Sequence, residues 1–361
     1  MKIIRHSCWM VALFVVILLA ACRTYPIVTN QADSEQQKEA STGGTSKDNA
    51  NFSDKTSDKH NDKISETSST LENMIDVMLF MGESNMSGYG GDAELASKVS
   101  EDAGMEFRAI SDPSKLYPIT EPFGANESDP SGLNDVSGVK KGTLVSAFVN
   151  EYHKLTGRRV VAVSASMGSA DMDVWTSEGV MDDVLRRFES TIDYLESNGY
   201  KAGRIYAIWL QGESDGLKGS AESTYRDALA NLMKPMFKAG LEKVFVITPG
   251  RTIDLMDAYK NVIDTQIGMC VEDDHYVLAT TVLTKVSTEC MTDQYQYNQH
   301  ALNYAGIEAA KAVAYFTQND VKKIVYDYRD GKWIVPKGVK ENSQEKEELV
   351  YPSDLDINSM F

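Results

Sequence analysis

Two serines stand in glycine-containing turns whose residue types suit nucleophilic chemistry. The turns are near copies of each other, and each follows an apolar run of strand length: Gly82-Glu83-Ser84-Asn85 and Gly212-Glu213-Ser214-Asp215. A serine in a tight turn after a buried strand can expose its hydroxyl at the edge of a sheet, as a nucleophile requires. On the local sequence alone, either serine could attack a carbonyl carbon.

Hydrogen-bond donors for a developing oxyanion follow the same kind of run. Gly168 comes after the run Arg159–Ala165, and the absence of a side chain lets its backbone N–H approach a substrate oxygen closely. Gln211 ends the run Arg204–Gln211 and offers a side-chain amide. The N–H of Ser84, the N–H of Gly168 and the Gln211 amide together predict an oxyanion hole. Each group alone is also compatible with ordinary turn chemistry.

Apolar runs and helical patterns alternate along the body of the chain, which predicts a three-layer α/β/α sandwich with a five-stranded parallel sheet. The runs are nearly continuous in apolar and β-branched residues, as expected of strands covered on both faces. Ligands bind beyond the carboxyl ends of such strands, which is where the motifs fall. The predicted strands are Asp76–Met81, Arg159–Ala165, Arg204–Gln211, Lys243–Thr248 and Tyr276–Val282, and the predicted helices are Thr143–Leu155, Val180–Leu195, Ala221–Lys238, Asp257–Met269 and Gln299–Phe316.

Two segments outside this alternation have their own predictions. Ala93–Lys141 is a long, mostly irregular insertion, and loops of that length in a compact domain usually shape a site. Near the end of the chain, two short apolar runs flank Asp330-Gly331, which predicts a β-hairpin. The sequence after Pro336 is polar and acidic.

The N-terminus has the pattern of a bacterial lipoprotein signal. Lys2 and Arg5 precede the apolar stretch Trp9–Ala20, which is too short to span a bilayer comfortably. The stretch ends in Leu19-Ala20-Ala21-Cys22, which resembles a lipobox and implies that Cys22 is diacylated and becomes the mature N-terminus. The alternative is ordinary small-residue cleavage beside an incidental cysteine. We therefore expect a protein anchored by lipid to a bacterial cell membrane and facing outward.

Composition divides the chain further and excludes one class of partner. Residues 1–21 are predicted as signal peptide, 22–73 as lipidated cysteine and disordered polar tether, 74–318 as the main domain and 319–361 as hairpin and tail. A formal net charge of −17 argues against a nucleic-acid partner, because phosphate binding needs a basic face.

Cys270 and Cys290 could pair or could be buried thiols. No Cys/His spacing resembles a zinc site, and we predict neither a metal nor a cofactor.

Several short motifs, in this order, resemble the sialate O-acetylesterase-like branch of the SGNH hydrolases over about residues 74–316. They are Gly82-x-Ser84-Asn85-Met86, Arg108-Ala109-Ile110, Glu121-Pro122-Phe123-Gly124, Gly168-Ser169 with Trp175, and Trp209-x-Gln211-Gly212-Glu213-Ser214-Asp215. The resemblance selects Ser84 rather than Ser214 as nucleophile, and it implies Gly168 and Gln211 as oxyanion donors. It also implies removal of O-acetyl groups from sialic acids or plant-type glycans. Glu83 stands where the family usually has glutamine, and we take Glu83, Asn85, Glu213, Asp215 and Trp175 as substrate-pocket candidates.

The last family motif, Asp-x-x-His, is incomplete. Asp293 matches its aspartate, which the resemblance makes the residue that orients the base, but Gln296 stands at the histidine position. A glutamine amide cannot accept a proton at neutral pH, whereas a serine nucleophile needs a neighbour that can. His300 lies four residues later and would share a face with Gln296 if the helix had already begun. It is either a displaced base or a histidine that packs at the start of a helix.

Three functional hypotheses follow. The first is a cell-surface carbohydrate O-acetylesterase that uses Ser84, Asp293 and, as base, His300 on an O-acetylated glycan or sialoside. The second is a catalytically silent glycan-binding lipoprotein that keeps the esterase fold. The third is a lipid esterase, which needs an exposed apolar stripe near the motifs that the sequence does not show. For the first hypothesis, Ser84, Gly168, Gln211 and Asp293 must converge at one end of the sheet.

Overall fold

The computed structural model describes residues 74–346. The predictions for the signal peptide, for Cys22, for the tether and for the last part of the tail lie outside the described residues. Within residues 74–346, no helix has both the length and the apolar character that a membrane span requires.

A seven-stranded sheet forms the centre of the described body, in the order β3-β2-β4-β1-β5-β6-β7. Neighbouring strands are parallel except for the antiparallel pair β2 and β3. All five predicted strands are present. The strands are β1 (Met74–Gly82), β2 (Gly104–Arg108), β3 (Asp112–Pro118), β4 (Val160–Ser166), β5 (Lys201–Leu210), β6 (Lys243–Ile247) and β7 (Tyr276–Thr280).

The sheet has seven strands where five were predicted. The two additional strands lie within residues 93–141, which are otherwise irregular, as predicted. β2 pairs with β4 and buries Phe107 completely, so it extends the apolar core by one strand. β3 is the edge strand, and its residues are largely exposed and include Pro113 and Pro118. A polar, proline-containing edge strand lacks the apolar pattern from which a strand is predicted, which is why the sequence did not indicate it.

Helices cover both faces of the sheet, as predicted. Alternate residues of β1 point to opposite faces, so Met78 and Phe80 join one core cluster while Val77 and Leu79 join the other. Burial on both faces explains the continuous apolar run of this strand. The helices are α1 (Ser84–Ser87), α2 (Val145–Thr156), α3 (Met172–Trp175), α4 (Glu178–Ser197), α5 (Glu213–Lys218), α6 (Glu222–Lys238), α7 (Lys260–Glu272) and α8 (Gln299–Asn319). One core cluster contains residues of α2 and α8, and the other contains residues of α4, α6 and α7.

The predicted hairpin is also present. β8 (Val325–Asp327) pairs in antiparallel register with β9 (Lys332–Ile334). Gly331 in the connecting turn has φ +67°, a conformation that glycine adopts without strain. Among the described residues, Cys270 and Cys290 are both buried and are not joined by a disulfide. The thiol alternative is therefore the correct one in this structure.

The register of the central strands brings the motif turns to one edge of the sheet. Gly82 at the end of β1 pairs with Ser166 at the end of β4 and with Leu210 at the end of β5. The turns after these three strands therefore begin at the same level, and the chain segments that contain Ser84, Gly168 and Gln211 lie side by side.

Candidate active site

The turn between β1 and α1 places Ser84 at the carboxyl edge of the sheet. Gly82 has φ +149°, and a Cβ atom at this position would lie 1.8 Å from the carbonyl oxygen of Leu210. Only glycine fits there, so the chain can turn sharply as it leaves the strand. Ser84 is the first residue of α1, a position whose N–H has no acceptor within the helix. Its side chain is largely buried, with 8% of the residue exposed.

Gln296 is the side chain that contacts the Ser84 hydroxyl. The distance from Gln296 Nε2 to Ser84 Oγ is 3.0 Å. The buried oxygen of the same amide, Oε1, has no hydrogen-bond partner among the described residues. The motif position therefore faces the predicted nucleophile, as the family pattern requires, but it contains a group that cannot take up a proton.

Asp293 shapes the loop that carries Gln296. Its Oδ1 accepts hydrogen bonds from the backbone N–H of Tyr295, at 2.8 Å, and of Gln296, at 2.9 Å. The loop is held against α1 by Asn85, whose Nδ2 donates to the Tyr295 carbonyl at 3.1 Å and whose Oδ1 accepts from the Tyr297 N–H at 3.0 Å. The aspartate predicted to orient a histidine thus orients the backbone at the position where that histidine would stand.

Helix α8 does not extend back to Gln296, as the hypothesis of a shared face with His300 required. Helix α8 begins at Gln299, and Asn298 before it has an extended backbone and caps the helix by accepting from the Ala301 N–H at 3.0 Å. Gln296 is therefore not part of the helix. The condition under which His300 would share a helical face with Gln296 is not met, which corrects that part of the hypothesis.

The backbone N–H of Gly168, one of the predicted oxyanion donors, already has an acceptor. It donates to Asp135 Oδ1 at 2.8 Å, and the same oxygen accepts from the Tyr89 hydroxyl at 2.6 Å. The Tyr89 ring lies directly on Gly168, since a Cβ atom there would be 2.2 Å from Tyr89 Oη. A side chain at this position would therefore displace the Tyr89 ring. In this conformation the Gly168 N–H is not free for a substrate.

The Gln211 amide is engaged as well. Its Nε2 lies 2.7 Å from Asp215 Oδ2, 2.9 Å from Glu83 Oε1 and 3.2 Å from the Ala170 carbonyl oxygen. Its Oε1 accepts from the Tyr225 hydroxyl at 2.7 Å. An amide has two hydrogens to donate, and both are used within the protein. Of the three predicted oxyanion donors, the N–H of Ser84 is the one that has no competing acceptor within residues 74–346.

Two buried glutamates link the near-copy turns. Glu83 accepts from the second turn, through the Gly212 N–H at 2.9 Å and the Ser214 hydroxyl. Glu213 accepts from the first turn, through Asn85 Nδ2 at 3.0 Å. Burial, followed by the charge of Glu213, raises the pKa of Glu83 to about 8. Burial also raises the pKa of Glu213. A pKa of about 8 favours the protonated form of Glu83 near neutral pH.

Comparison with known proteins supplies the family. Residues 74–314 match the family model described as "Carbohydrate esterase, sialic acid-specific acetylesterase". The chain belongs to this family. None of the curated proteins compared with the chain matches it significantly.

Solved structures similar to this carbohydrate esterase family member share little sequence with it. A protein from Arabidopsis thaliana is 16% identical, with a TM-score of 0.48, over 66% of this chain and 97% of that chain. The NanS structure is 12% identical, with a TM-score of 0.48, over 68% of this chain and 98% of that chain. A carbohydrate acetylesterase from Xanthomonas citri is 15% identical, with a TM-score of 0.43, over 66% of this chain and 57% of that chain.

The structure corrects the role predicted for the pocket candidates in this family member. Trp175 is fully buried and packs edge-on against Trp209, with ring centroids 5.0 Å apart, so it belongs to the core. Glu83, Asn85, Glu213 and Asp215 are each no more than 5% exposed. They form a hydrogen-bonded layer beneath Ser84 that fixes the two turns, and they do not line a solvent-exposed pocket.

Sequence reasoning missed residues of the insertion that reach the site. Asp135 on the Gly168 N–H and Lys140, whose Nζ lies 3.7 Å from Asp135 Oδ2, both come from residues 93–141. They belong to no motif, and the length of their insertion was the only signal in the sequence.

An exposed apolar cluster also lies next to the site, which the sequence did not reveal. Ile253, Leu255, Met256 and Tyr295 are 37–58% exposed. The Ile253 N–H donates to the Gln294 carbonyl at 3.2 Å, so this loop adjoins the segment that carries Gln296. The sequence shows no apolar stripe near the motifs, and these four side chains are apolar residues that the fold exposes beside the Gln296 segment.

Proposed function

We propose that this protein is a slow carbohydrate O-acetylesterase, in which Ser84 accepts the acetyl group from an O-acetylated glycan or sialoside. The family membership supports the reaction class and the glycan substrate. The observation that carries the proposal is the 3.0 Å contact between Gln296 Nε2 and Ser84 Oγ. It supports Ser84 as the nucleophile, because Ser84 contacts the family's base position, and it supports a low rate, because that position holds a glutamine.

The chemistry explains why the reaction is slow. Ser84 Oγ forms a bond to the acetyl carbon while the bond from that carbon to the sugar oxygen breaks, and the serine proton must reach the departing sugar oxygen. A histidine base relays this proton, and such general acid–base catalysis contributes about 10²–10⁴ in rate. Gln296 holds the hydroxyl in place but cannot relay its proton. Water, acting alone, must then remove the acetyl group from Ser84 in the second step.

Binding of O-acetylated glycans without turnover is the second candidate function. The observation that favours it is that Gly168 and Gln211 donate to carboxyl groups of the protein and not toward a substrate oxygen. Each oxyanion-hole donor contributes on the order of 10²–10³ in rate when it is available. A site that lacks the base and two donors retains its shape for a ligand while it loses most of its catalytic power.

Hydrolysis of 4-nitrophenyl acetate and of O-acetylated sialic acid by the purified mature chain tests these functions. We expect turnover well below that of a serine esterase with a complete triad, and we expect Ser84→Ala to remove it. If the Ser84→Ala variant retains the native rate, Ser84 is not the nucleophile. If the native protein binds the O-acetylated sugar in calorimetry and releases no acetate, the second candidate function is the correct one.

We further propose that the protein acts at the outer face of a bacterial membrane, anchored through lipid on Cys22. The support is the lipobox-like sequence that ends at Cys22 and the polar segment that follows it. Mass spectrometry of the protein from a bacterial host should find a diacylated N-terminal Cys22, and Cys22→Ala should release the protein from the membrane fraction. A mature chain that begins at another residue without lipid would contradict this location.

A further inference from the structure

The Asp135 carboxylate is surrounded by hydrogen-bond donors from three separate segments. Oδ1 accepts from the Gly168 N–H at 2.8 Å and from Tyr89 Oη at 2.6 Å. Oδ2 accepts from Ser87 Oγ at 3.3 Å, and Lys140 Nζ lies 3.7 Å away. The residue is 8% exposed. This environment is complementary to one negatively charged oxygen pair.

The strand register sets the location of these donors relative to the nucleophile. Gly82 and Ser166 are paired residues at the ends of neighbouring parallel strands. Ser84 lies two residues beyond Gly82, and Gly168 lies two residues beyond Ser166. The two N–H groups thus belong to neighbouring turns, each two residues beyond paired strand ends, and an oxyanion hole shared between two turns is built from such groups. The backbone nitrogen of Gly168 has a single hydrogen to donate, and Asp135 accepts it.

We propose that Asp135 is an autoinhibitory residue that occupies the oxyanion site, so that the substrate oxygen gains the Gly168 N–H only when Asp135 withdraws. The inference rests on the proposed function, since it concerns the same site. A resident carboxylate blocks the site in two ways. It uses the hydrogen that the oxyanion needs, and its negative charge repels the charge that develops on the substrate oxygen.

The segment around Asp135 is built to allow this withdrawal. Its neighbours Asn134 and Val136 are exposed, and Val136 is 75% exposed. Asp135 is thus a single buried residue within a short exposed stretch, bounded by the buried Leu133 and Lys140. Moving it outward returns a carboxylate to water and uncovers little apolar surface, so the cost lies in the hydrogen bonds it leaves and in its separation from the buried Lys140.

Kinetics in the Gln296→His background provide the first test, because that background supplies the missing base. Asp135→Ala should raise kcat for 4-nitrophenyl acetate by about tenfold or more, since one oxyanion donor is worth on the order of 10²–10³. Asp135→Asn is the matched control. Its side-chain oxygen still accepts from Gly168, so the gain should be much smaller. If Asp135→Ala lowers kcat below that of Asp135→Asn, the residue only supports the loop and the proposal is wrong.

Anion binding provides a second test that does not depend on esterase activity. Asp135→Ala leaves the donors of Gly168, Tyr89, Ser87 and Lys140 around an empty carboxylate position. Formate should therefore raise the Tm of this variant in a concentration-dependent way, and it should not raise the Tm of the native protein or of Asp135→Asn. Equal responses of all three proteins to formate would overturn the proposal, even if no variant hydrolyses an ester.

Loss of Asp135 also removes the partner of a buried lysine, which can prevent folding. The double variant Asp135→Ala/Lys140→Met avoids this, because it leaves no uncompensated charge. In the Gln296→His background it should show the same gain in kcat as Asp135→Ala. No gain in a folded double variant would contradict the autoinhibitory role.

Discussion

The turns after β1 and β5 contain almost the same residues but have different surroundings. Both follow central strands, both contain Gly-Glu-Ser, and both lead into a short helix, α1 or α5. The Ser84 hydroxyl meets the Gln296 amide, whereas the Ser214 hydroxyl donates to Glu83 of the other turn. Local sequence gives the two serines equal access to nucleophilic chemistry, and the segments packed against them make the difference.

The same comparison explains the role of the two glutamates. Each turn supplies a carboxyl group that accepts hydrogen bonds from the opposite turn, so the pair of turns is locked together. Ser214 takes part in holding the two turns together, because its hydroxyl donates a hydrogen bond to Glu83. Ser84 does not, and its hydroxyl faces the loop between Met291 and α8. In the proposed function, the first turn provides the reactive hydroxyl and the second turn provides its support.

The largest expected effect comes from completing the site around Ser84. Gln296→His should raise kcat for 4-nitrophenyl acetate by about 10²–10⁴, because Ser84 and the Asp293-shaped loop are already in place and general-base catalysis is worth that much. Steady-state kinetics measure the change, and Ser84→Ala in the same background should abolish it.

The variant His300→Ala tests whether His300 is the base. It should leave the slow native turnover essentially unchanged if Gln296 holds the base position. A native rate that is robust and disappears in His300→Ala would show that His300 reaches Ser84 and that the reading of the site is wrong.

A smaller effect, on the pH dependence of stability, should distinguish the buried Glu83 from a surface carboxylate. The pKa of Glu83 is raised from 4.5 to about 8. Between these pH values the folded protein retains a proton that the unfolded chain has released, so the free energy of unfolding falls as pH rises through this window. Glu83→Gln mimics the protonated side chain and should make this fall shallower, by a few kcal/mol between pH 5 and pH 8.5, at about 1.4 kcal/mol per unit of pKa shift.

Urea unfolding of the native protein, of Glu83→Gln and of Glu289→Gln at both pH values measures this difference. Glu289 is exposed and serves as the control, so its variant should follow the native curve. A Glu83→Gln variant with the same pH dependence as the native protein would mean that Glu83 is ionised throughout and that the two turns are held together differently.

The smallest expected effect is that of Ser214→Ala. The variant loses one hydrogen bond to Glu83, which should lower the free energy of unfolding by roughly 1 kcal/mol and change kcat less than threefold. Ser84→Ala should show the opposite pattern, with little loss of stability and complete loss of turnover. Unfolding curves and acetate release on both variants make the comparison, and equal loss of turnover would assign a catalytic role to both turns.

Much of the fold could be predicted because its signals are local. The five predicted strands are continuous apolar runs, and the buried faces of β1 show that this pattern arises from helices on both sides. The missing family histidine at Gln296 was equally visible, since motif spacing is a property of the chain. Strand β3 could not be predicted, because an exposed edge strand has no apolar pattern to reveal it.

The sequence by itself determined the layered fold, the family motifs and the glutamine at the base position. Only the tertiary structure decided which hydrogen-bond donors are engaged, because those contacts join residues far apart in the chain. Ser84 and Gln296 are separated by 212 positions, and Gly168 and Asp135 by 33. Trp175 shows the same limit: its motif suggested a pocket, and its neighbour Trp209 on β5 made it part of the core. Side-chain periodicity tells which face of an element is buried, but a hydrogen bond depends on the position of both partners to within a few tenths of an ångström.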